Sequence, residues 1–106
     1  MSYELVISNR AEIEIAKIRD TIAKDNPQAA SKVASRIYDV TETIAHFPGI
    51  GGSVSERFGI KSDYLFFVVL PYTYIIFYKT VGDKVFIGRV IDGRRDCVRV
   101  LTVDRK

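Results

Sequence analysis

Two apolar stripes with helical spacing, separated by one short turn, constrain the fold of this chain more than any other feature. Steps of three and four residues place each stripe on one face of a helix. Between them, Asn26-Pro27 has the chemistry of a helix start, with Asn as N-cap and Pro at the first helical position. We therefore predict a helical hairpin over residues 9–46, with Ser8 or Asn9 capping its first helix. The stripes are Ala11, Ile15, Ile18 and Ile22, then Val33, Ile37, Val40, Ile44 and Phe47.

The segments outside the hairpin have the composition of β-strands. Residues 3–7 form a short strand-like run, and residues 63–70, 74–79 and 84–91 form longer ones. Val98, Val100 and Val103 suggest a short last strand. The apolarity of residues 65–70 and 74–78 is nearly continuous, so these strands lie at the sheet centre or have a covered second face. We predict an α+β fold: an N-terminal strand, the helical hairpin, then a three- to four-stranded antiparallel sheet.

The length and charge of the chain limit the kinds of partner it can have. With 106 residues, we expect a single domain over residues 1–106. The net charge is only +3, but basic residues are frequent in the last third. Such a region can bind nucleic acid or an acidic peptide, although a solvated surface with scattered charges is an equally good interpretation. The basic residues there are Lys84, Arg89, Arg94, Arg95, Arg99, Arg105 and Lys106.

Several function classes are disfavoured by residues that the chain lacks. Cys97 is the only cysteine and His46 the only histidine, so neither an internal disulfide nor a zinc site built from these two alone is possible. We expect no metal and no cofactor. The N-terminus has no signal-peptide pattern, and the apolar stretch of residues 64–78 is too short to span a bilayer. We therefore expect a cytoplasmic protein with no membrane partner.

Arg89 stands out because it lies within an apolar row. At the two-residue period of a strand, Val85, Ile87, Arg89 and Ile91 point to the same face. An arginine in such a row must be paired or must line a functional groove. Both interpretations stay open, and the first names Asp63 or Asp96 as the partner. Arg94 and Arg95 follow the strand, where a loop presents them to solvent or to a partner.

A series of short motifs, in the correct order over residues 3–96, resembles the RelE/ParE toxin superfamily of plasmid stabilisation systems. The second motif is closest to the ParE branch. The motifs are Tyr3-x-Leu5 with Ser8-x-x-Ala11-x-x-x-Ile15, Asn26-Pro27-x-Ala29-Ala30, Ile44-x-x-Phe47-Pro48-x-Ile50-Gly51, Tyr74-x-Ile76-x-Tyr78, Val85-x-Ile87-x-Arg89-Val90 and Gly93-Arg94-Arg95-Asp96.

The resemblance implies the toxin of a type II toxin–antitoxin pair. A ParE-like toxin inhibits DNA gyrase, blocks replication and is neutralised by a cognate antitoxin, so a toxin–antitoxin hetero-oligomer is expected. The alternatives are a RelE-like endoribonuclease that cuts mRNA on the ribosome, and a degenerate toxin that only binds its antitoxin. We assign no catalytic residue. The residues expected to bind the target or the antitoxin are Arg57, Lys61, Arg89, Arg94, Arg95 and Asp96.

Departures from the family pattern argue against RNA cleavage. The ribonuclease branch has an Arg where this chain has Ile75, and it uses a late Tyr, whereas no Tyr follows Tyr78. The family also often has His at the position of Asp92. Cleavage needs a base, an acid and positive charge near the phosphate. Cations are available, but the candidates for proton transfer are few: Tyr78, His46 and Glu56.

Overall fold

The structure, a computed structural model, describes residues 3–103, with side chains described for residues 3–101. Its strands form one five-stranded sheet in the order β1-β5-β4-β3-β2. β1 is parallel to β5, and the other neighbours are antiparallel. The elements are β1 (Glu4–Ile7), α1 (Asn9–Ala23), α2 (Pro27–His46), a 3-10 turn (Pro48–Ile50), β2 (Gly52–Ser53), α3 (Val54–Phe58), β3 (Leu65–Val68), β4 (Tyr74–Val81), β5 (Lys84–Asp92) and α4 (Cys97–Val103).

The predicted α+β fold and helical hairpin are confirmed. The Ser8 hydroxyl accepts a hydrogen bond from Ala11 N, and the Asn26 carboxamide oxygen accepts one from Ala29 N. Both helices therefore begin where the capping residues predicted. Phe47 departs from its stripe and is 63% exposed. Its φ of −135° and ψ of 71° are not helical, so α2 ends before Phe47 can turn towards the core.

Both faces of the sheet are covered, which is one of the two explanations left open for the apolar strands. The helical hairpin covers one face and forms the first core, which includes Ile15, Ile37 and Ile87. The second core lies on the opposite face, where Val54 of α3 and Cys97 of α4 pack with residues of β4 and β5. Among the described residues, no helix is both long and apolar enough to cross a membrane.

The strand predicted at Val98–Val103 is wrong, because this segment is helix α4. Cys97, Val100 and Leu101 follow the helical spacing of three and one, and these three residues pack in the second core. Asp96 begins the helix, since its carboxylate accepts a hydrogen bond of 3.2 Å from Arg99 N. The sheet still has more strands than predicted, because β1 joins it and the segment after the 3-10 turn contributes the two-residue strand β2.

A β-bulge at Gly88 changes the predicted orientation of Arg89. Tyr78 pairs with Ile87 and Phe77 pairs with Arg89, which leaves Gly88 as the extra residue of β5. A Cβ atom at Gly88 would lie 2.8 Å from the Tyr64 ring, so any other residue there would require that ring to shift. Because of the bulge, Ile87 faces the first core, whereas Arg89 is on the face of the second. The predicted row of residues 85, 87, 89 and 91 is therefore broken.

Candidate functional site

An ion pair between Arg89 and Glu14 joins β5 to α1. The Arg89 Nε and Nη2 atoms lie 2.9 and 2.7 Å from Glu14 Oε2. The other carboxylate oxygen of Glu14 accepts a hydrogen bond of 2.9 Å from Val90 N. Both side chains are largely buried, with 12% of Arg89 and 17% of Glu14 exposed. The pairing interpretation of Arg89 is therefore correct, but its partner is Glu14.

The two partners named from the sequence have other contacts. Asp63 lies 4.0 Å from Lys79 Nζ, and the Asp96 carboxylate caps α4. Strand β1 ends at Ile7, so beyond that point helix α1 lies along the edge of β5 in its place. This position brings Glu14 to Arg89. Ser8 starts this contact: its N–H donates to Ile87 O at 3.0 Å and its hydroxyl donates to Gly88 O at 2.9 Å.

The ion pair lies in a depression of about 650 Å³ between α1, β5 and α4, which we call the cationic cleft. Five cations and two carboxylates line it, and both carboxylates are engaged, Glu14 with Arg89 and Asp96 with α4. Ile13 adds an apolar side chain that is 56% exposed. The cleft therefore combines net positive charge with a small apolar surface. Its lining consists of Arg10, Ile13, Glu14, Lys17, Arg89, Arg95, Asp96, Arg99 and Val100.

Two smaller hollows adjoin the cationic cleft. The first, which we call the apolar pocket, has a volume of about 310 Å³ and shares Arg10 and Arg89 with the cleft. Its other lining residues are Val54, Ile60, Lys61, Ser62, Asp63, Tyr64, Phe77 and Leu101. The second has about 290 Å³, shares Arg95 and Asp96 with the cleft, and is also lined by Arg57. The Arg57 guanidinium there lies 5.5 Å from the centre of the Phe58 ring.

Five of the six residues singled out from the sequence line these three depressions, and Arg94 does not. Arg94 is 74% exposed and its Nη2 lies 2.7 Å from Asp92 Oδ2. Asp92 also accepts hydrogen bonds from Arg94 N and from the Thr73 hydroxyl, each of 3.0 Å. These donors, Arg94 foremost, lower the pKa of Asp92 to about 2. Arg94 thus belongs to a charged turn beside the cleft.

The contribution of α1 to the cleft was missed in the sequence. Arg10, Glu14 and Lys17 are spaced by four and three residues, so they form a polar stripe next to the apolar stripe of Ala11, Ile15 and Ile18. That spacing was the available signal. It did not show which part of the sheet α1 meets, because this depends on the parallel pairing of β1 with β5.

The side chains considered for proton transfer do not line the cationic cleft. Tyr78 is fully buried, its hydroxyl donates to Pro48 O at 2.7 Å and accepts from Gly51 N at 2.9 Å, and burial raises its pKa. Burial also raises the pKa of the Cys97 thiol. His46 lies at the opposite end of β5 from Arg89. It follows Ala45, whose carbonyl accepts a hydrogen bond from Tyr3 N, and the next residue, Glu4, pairs with Lys84. The five residues of strand from Lys84 to Arg89 span about 16 Å.

Two other positions bear on the chemistry of the site. Ile75, where the ribonuclease branch has an Arg, is buried in the second core and forms part of its apolar packing. Glu56 is exposed on the short helix α3 and does not line any of the three depressions. Within the part of the chain that the structure describes, no three His, Cys, Asp or Glu residues lie together as a metal-binding group.

Comparison with known proteins identifies a solved structure with this fold and the family of the chain. The chain is similar to a solved structure titled "Chromosomal ParDE TA system from P. aeruginosa", with a TM-score of 0.72, 13% identity, and coverage of 86% of this chain and 96% of that one. This likeness shows the fold. No curated protein sequence matches significantly. The family model described as the ParE toxin of the type II toxin–antitoxin system parDE matches residues 5–97. The resemblance to the ParE branch is thereby confirmed, and the chain belongs to the ParE toxin family.

Proposed function

We propose that this ParE-family toxin arrests growth in the cytoplasm by binding DNA gyrase, and that a cognate antitoxin neutralises it by occupying the cationic cleft. Membership of the family supports the first half of the proposal. The solved relative is described as a toxin–antitoxin system, which supports a hetero-oligomer of toxin and antitoxin as the inactive form.

The observation that carries the proposal is the composition of the cationic cleft. It is rich in arginine, but the two carboxylates in it are already engaged with Arg89 and with α4. General acid–base catalysis needs a group within about 3 Å of the proton that it moves, and neither His46 nor Tyr78 lines the cleft. A surface of this kind is suited to binding a macromolecule and lacks an evident means of cutting one.

The proposed binding residues are Arg89, Arg95 and Asp96 in the cleft, with Lys61 and Arg57 in the hollows beside it. Arginine binds carboxylates through two parallel hydrogen bonds. Arg89 already bonds Glu14 through Nε and Nη2, so Arg95 and the other cations of the cleft are the groups that suit an acidic segment of the antitoxin. Ile13 offers that segment an apolar contact. Binding to the folded toxin alone would also stabilise a small domain by mass action.

The test is induced expression of the chain with and without the protein encoded by the neighbouring reading frame. We expect growth arrest that the neighbour relieves, a loss of DNA supercoiling by gyrase in vitro, and intact mRNA. A charge reversal outside the cleft, Lys32→Glu on the exposed side of α2, should inhibit gyrase like the wild type.

Two other results would replace the proposal. Codon-specific mRNA cleavage in a reconstituted translation reaction, with gyrase unaffected, would make the protein a RelE-like endoribonuclease. Tight binding of the neighbour without growth arrest would make it a degenerate toxin that only binds its antitoxin.

A further inference from the structure

The apolar pocket differs from the cationic cleft because side chains of the second core form its floor. Val54 and Phe77 are almost fully buried, and Ile60 and Leu101 are partly buried around them. The volume of about 310 Å³ is at the small end of the range for ligand pockets, roughly 300–1,000 Å³. A space of this size accepts one large side chain of a partner.

Cations are among the residues that line the apolar pocket. Arg10 and Arg89 line both this pocket and the cationic cleft, and Lys61 lines the pocket alone. Asp63 is the one carboxylate of that lining, and it lies 4.0 Å from Lys79 Nζ. Glu14 already pairs with Arg89, so the positive charge beside the pocket comes from Arg10 and Lys61. Charge complementarity therefore favours an apolar group with neighbouring negative charges.

The polar atoms of the pocket favour a peptide over a nucleotide. Base recognition uses exposed aromatic faces for stacking and polar groups that read the base edges. Here Val54, Ile60 and Leu101 are aliphatic, the Phe77 ring is almost fully buried, and Lys79 Nζ lies 5.0 Å from the centre of the Tyr64 ring and so covers one of its faces. A largely aliphatic pocket with cations in its lining fits a Leu, Ile or Phe side chain between Asp or Glu residues.

We propose that the apolar pocket anchors the antitoxin through one large apolar residue flanked by carboxylates, while the chain on one side of that residue follows the cationic cleft. This inference rests on the proposed function, because it needs an antitoxin. Buried apolar anchors surrounded by weaker polar contacts commonly dominate the binding energy of an interface. The pocket would then determine which antitoxin this toxin accepts.

The experiment measures binding of the neighbouring reading frame's product to the full-length toxin and to two variants. Ser62→Phe fills the pocket, and Lys61→Glu reverses an exposed charge in its lining. The matched controls are Ser35→Phe and Lys32→Glu, the same two changes at exposed positions of α2 that do not line the pocket. We expect each pocket variant to raise the Kd by about tenfold or more and each control to leave it within about twofold.

Short overlapping peptides covering that product provide a second measurement. We expect the binding peptides to share one apolar residue between Asp or Glu residues, and substitution of that residue by Ala to abolish their binding. Melting curves of the variants show which of them fold. If Ser62→Phe is unfolded, Lys61→Glu and the peptide set decide the question.

The outcomes separate this inference from the proposed function. If the neighbour binds and relieves growth arrest equally well with wild type and both pocket variants, the pocket is not the anchor and the proposed function stands. If the neighbour neither binds nor relieves arrest, both proposals are wrong. If the pocket variants instead lose binding to a short single-stranded RNA, the occupant is a nucleic acid and the inference is overturned.

Discussion

Glu14 satisfies a backbone N–H group at the edge of β5 that a longer β1 would otherwise bond. Its carboxylate accepts the N–H of Val90 and at the same time neutralises Arg89. A buried edge N–H and a buried guanidinium each need a partner, because an unpaired polar group is costly in a low-dielectric surrounding. One side chain satisfies both requirements, so its loss has two consequences.

We expect Glu14→Ala to lower the free energy of unfolding by about 3 kcal/mol, the lower end of the range for breaking a buried ion pair. Glu14→Gln should cost less, because its amide oxygen can still accept from Val90 N. Urea denaturation measures both changes. The control is Glu42→Ala at an exposed position of α2, where we expect a change within about 0.5 kcal/mol. Equal stability of Glu14→Ala and wild type would show that the pair contributes nothing.

Asp92 should make the stability of the protein sensitive to acid. Its pKa in the folded protein is about 2, against an ordinary value of 3.8. A carboxyl group with a lowered pKa binds protons more readily in the unfolded chain, so the stabilisation is present above about pH 4 and is lost as the pH falls towards 2. In melting experiments over this range, wild type should lose more stability than Asp92→Asn. An equal loss of stability in wild type and Asp92→Asn as the pH falls would contradict this role of Asp92.

At the level of single residues, the sequence identified Arg89 as exceptional but did not identify its partner. Its place in an apolar strand required a partner or a groove, and the structure provides both. The partner depends on which helix covers the edge of β5, and the facing of Arg89 depends on the bulge at Gly88. Neither leaves a periodic signal in the sequence, since both follow from how separate strands align.

At the level of elements, long amphipathic segments were predictable and short ones were not. The hairpin has two stripes and two recognisable caps, which fix its spacing over almost forty residues. Helix α4 has only seven residues, and three of them are valines, a residue type typical of strands. The segment becomes a helix because Cys97, Val100 and Leu101 then face the second core together. Helix α3 and strand β2 are shorter still, with five and two residues, and the sequence did not predict either of them.

The packing of the hairpin can be tested at Ile37, which is fully buried in the middle of α2. Ile37→Asp places an unpaired charge in the first core, and we expect it to lower stability by about 4 kcal/mol or to prevent folding. Ser35→Asp makes a comparable change at an exposed position of the same helix and should melt close to wild type. A soluble Ile37→Asp protein with an unshifted melting curve would contradict the packing of α2 on the sheet.

For the molecule as a whole, the sequence predicted the family and the basic character of the C-terminal third. It did not predict the shape of the site. The cationic cleft exists because α1, β5 and α4 meet, and these elements are far apart in the chain. Arg95 and Arg99 from the end of the chain therefore lie with Arg10 and Lys17 from its beginning.

Substitution of Arg94 and Arg95 distinguishes long-range attraction from direct contact with the antitoxin. Removing either charge should slow association at low salt, because both contribute to the positive field. Arg95 lines the cleft, whereas Arg94 is held by Asp92. We therefore expect Arg95→Ala, but not Arg94→Ala, to speed dissociation, and the double variant to weaken the complex moderately. Surface plasmon resonance at two salt concentrations measures these rates. Unchanged rates for the double variant would place the binding face elsewhere.

The pairing of β1 with β5 also determines when the toxin becomes complete during its synthesis. Glu4 pairs with Lys84, and at about 5–20 residues per second the ribosome makes the second partner several seconds after the first. The helical hairpin, whose contacts are local, can form in that interval. The cationic cleft cannot, because Arg10 and Glu14 must wait for Arg89 and Arg95. A growing chain is thus without its binding surface until nearly all of the residues that form it have been synthesised.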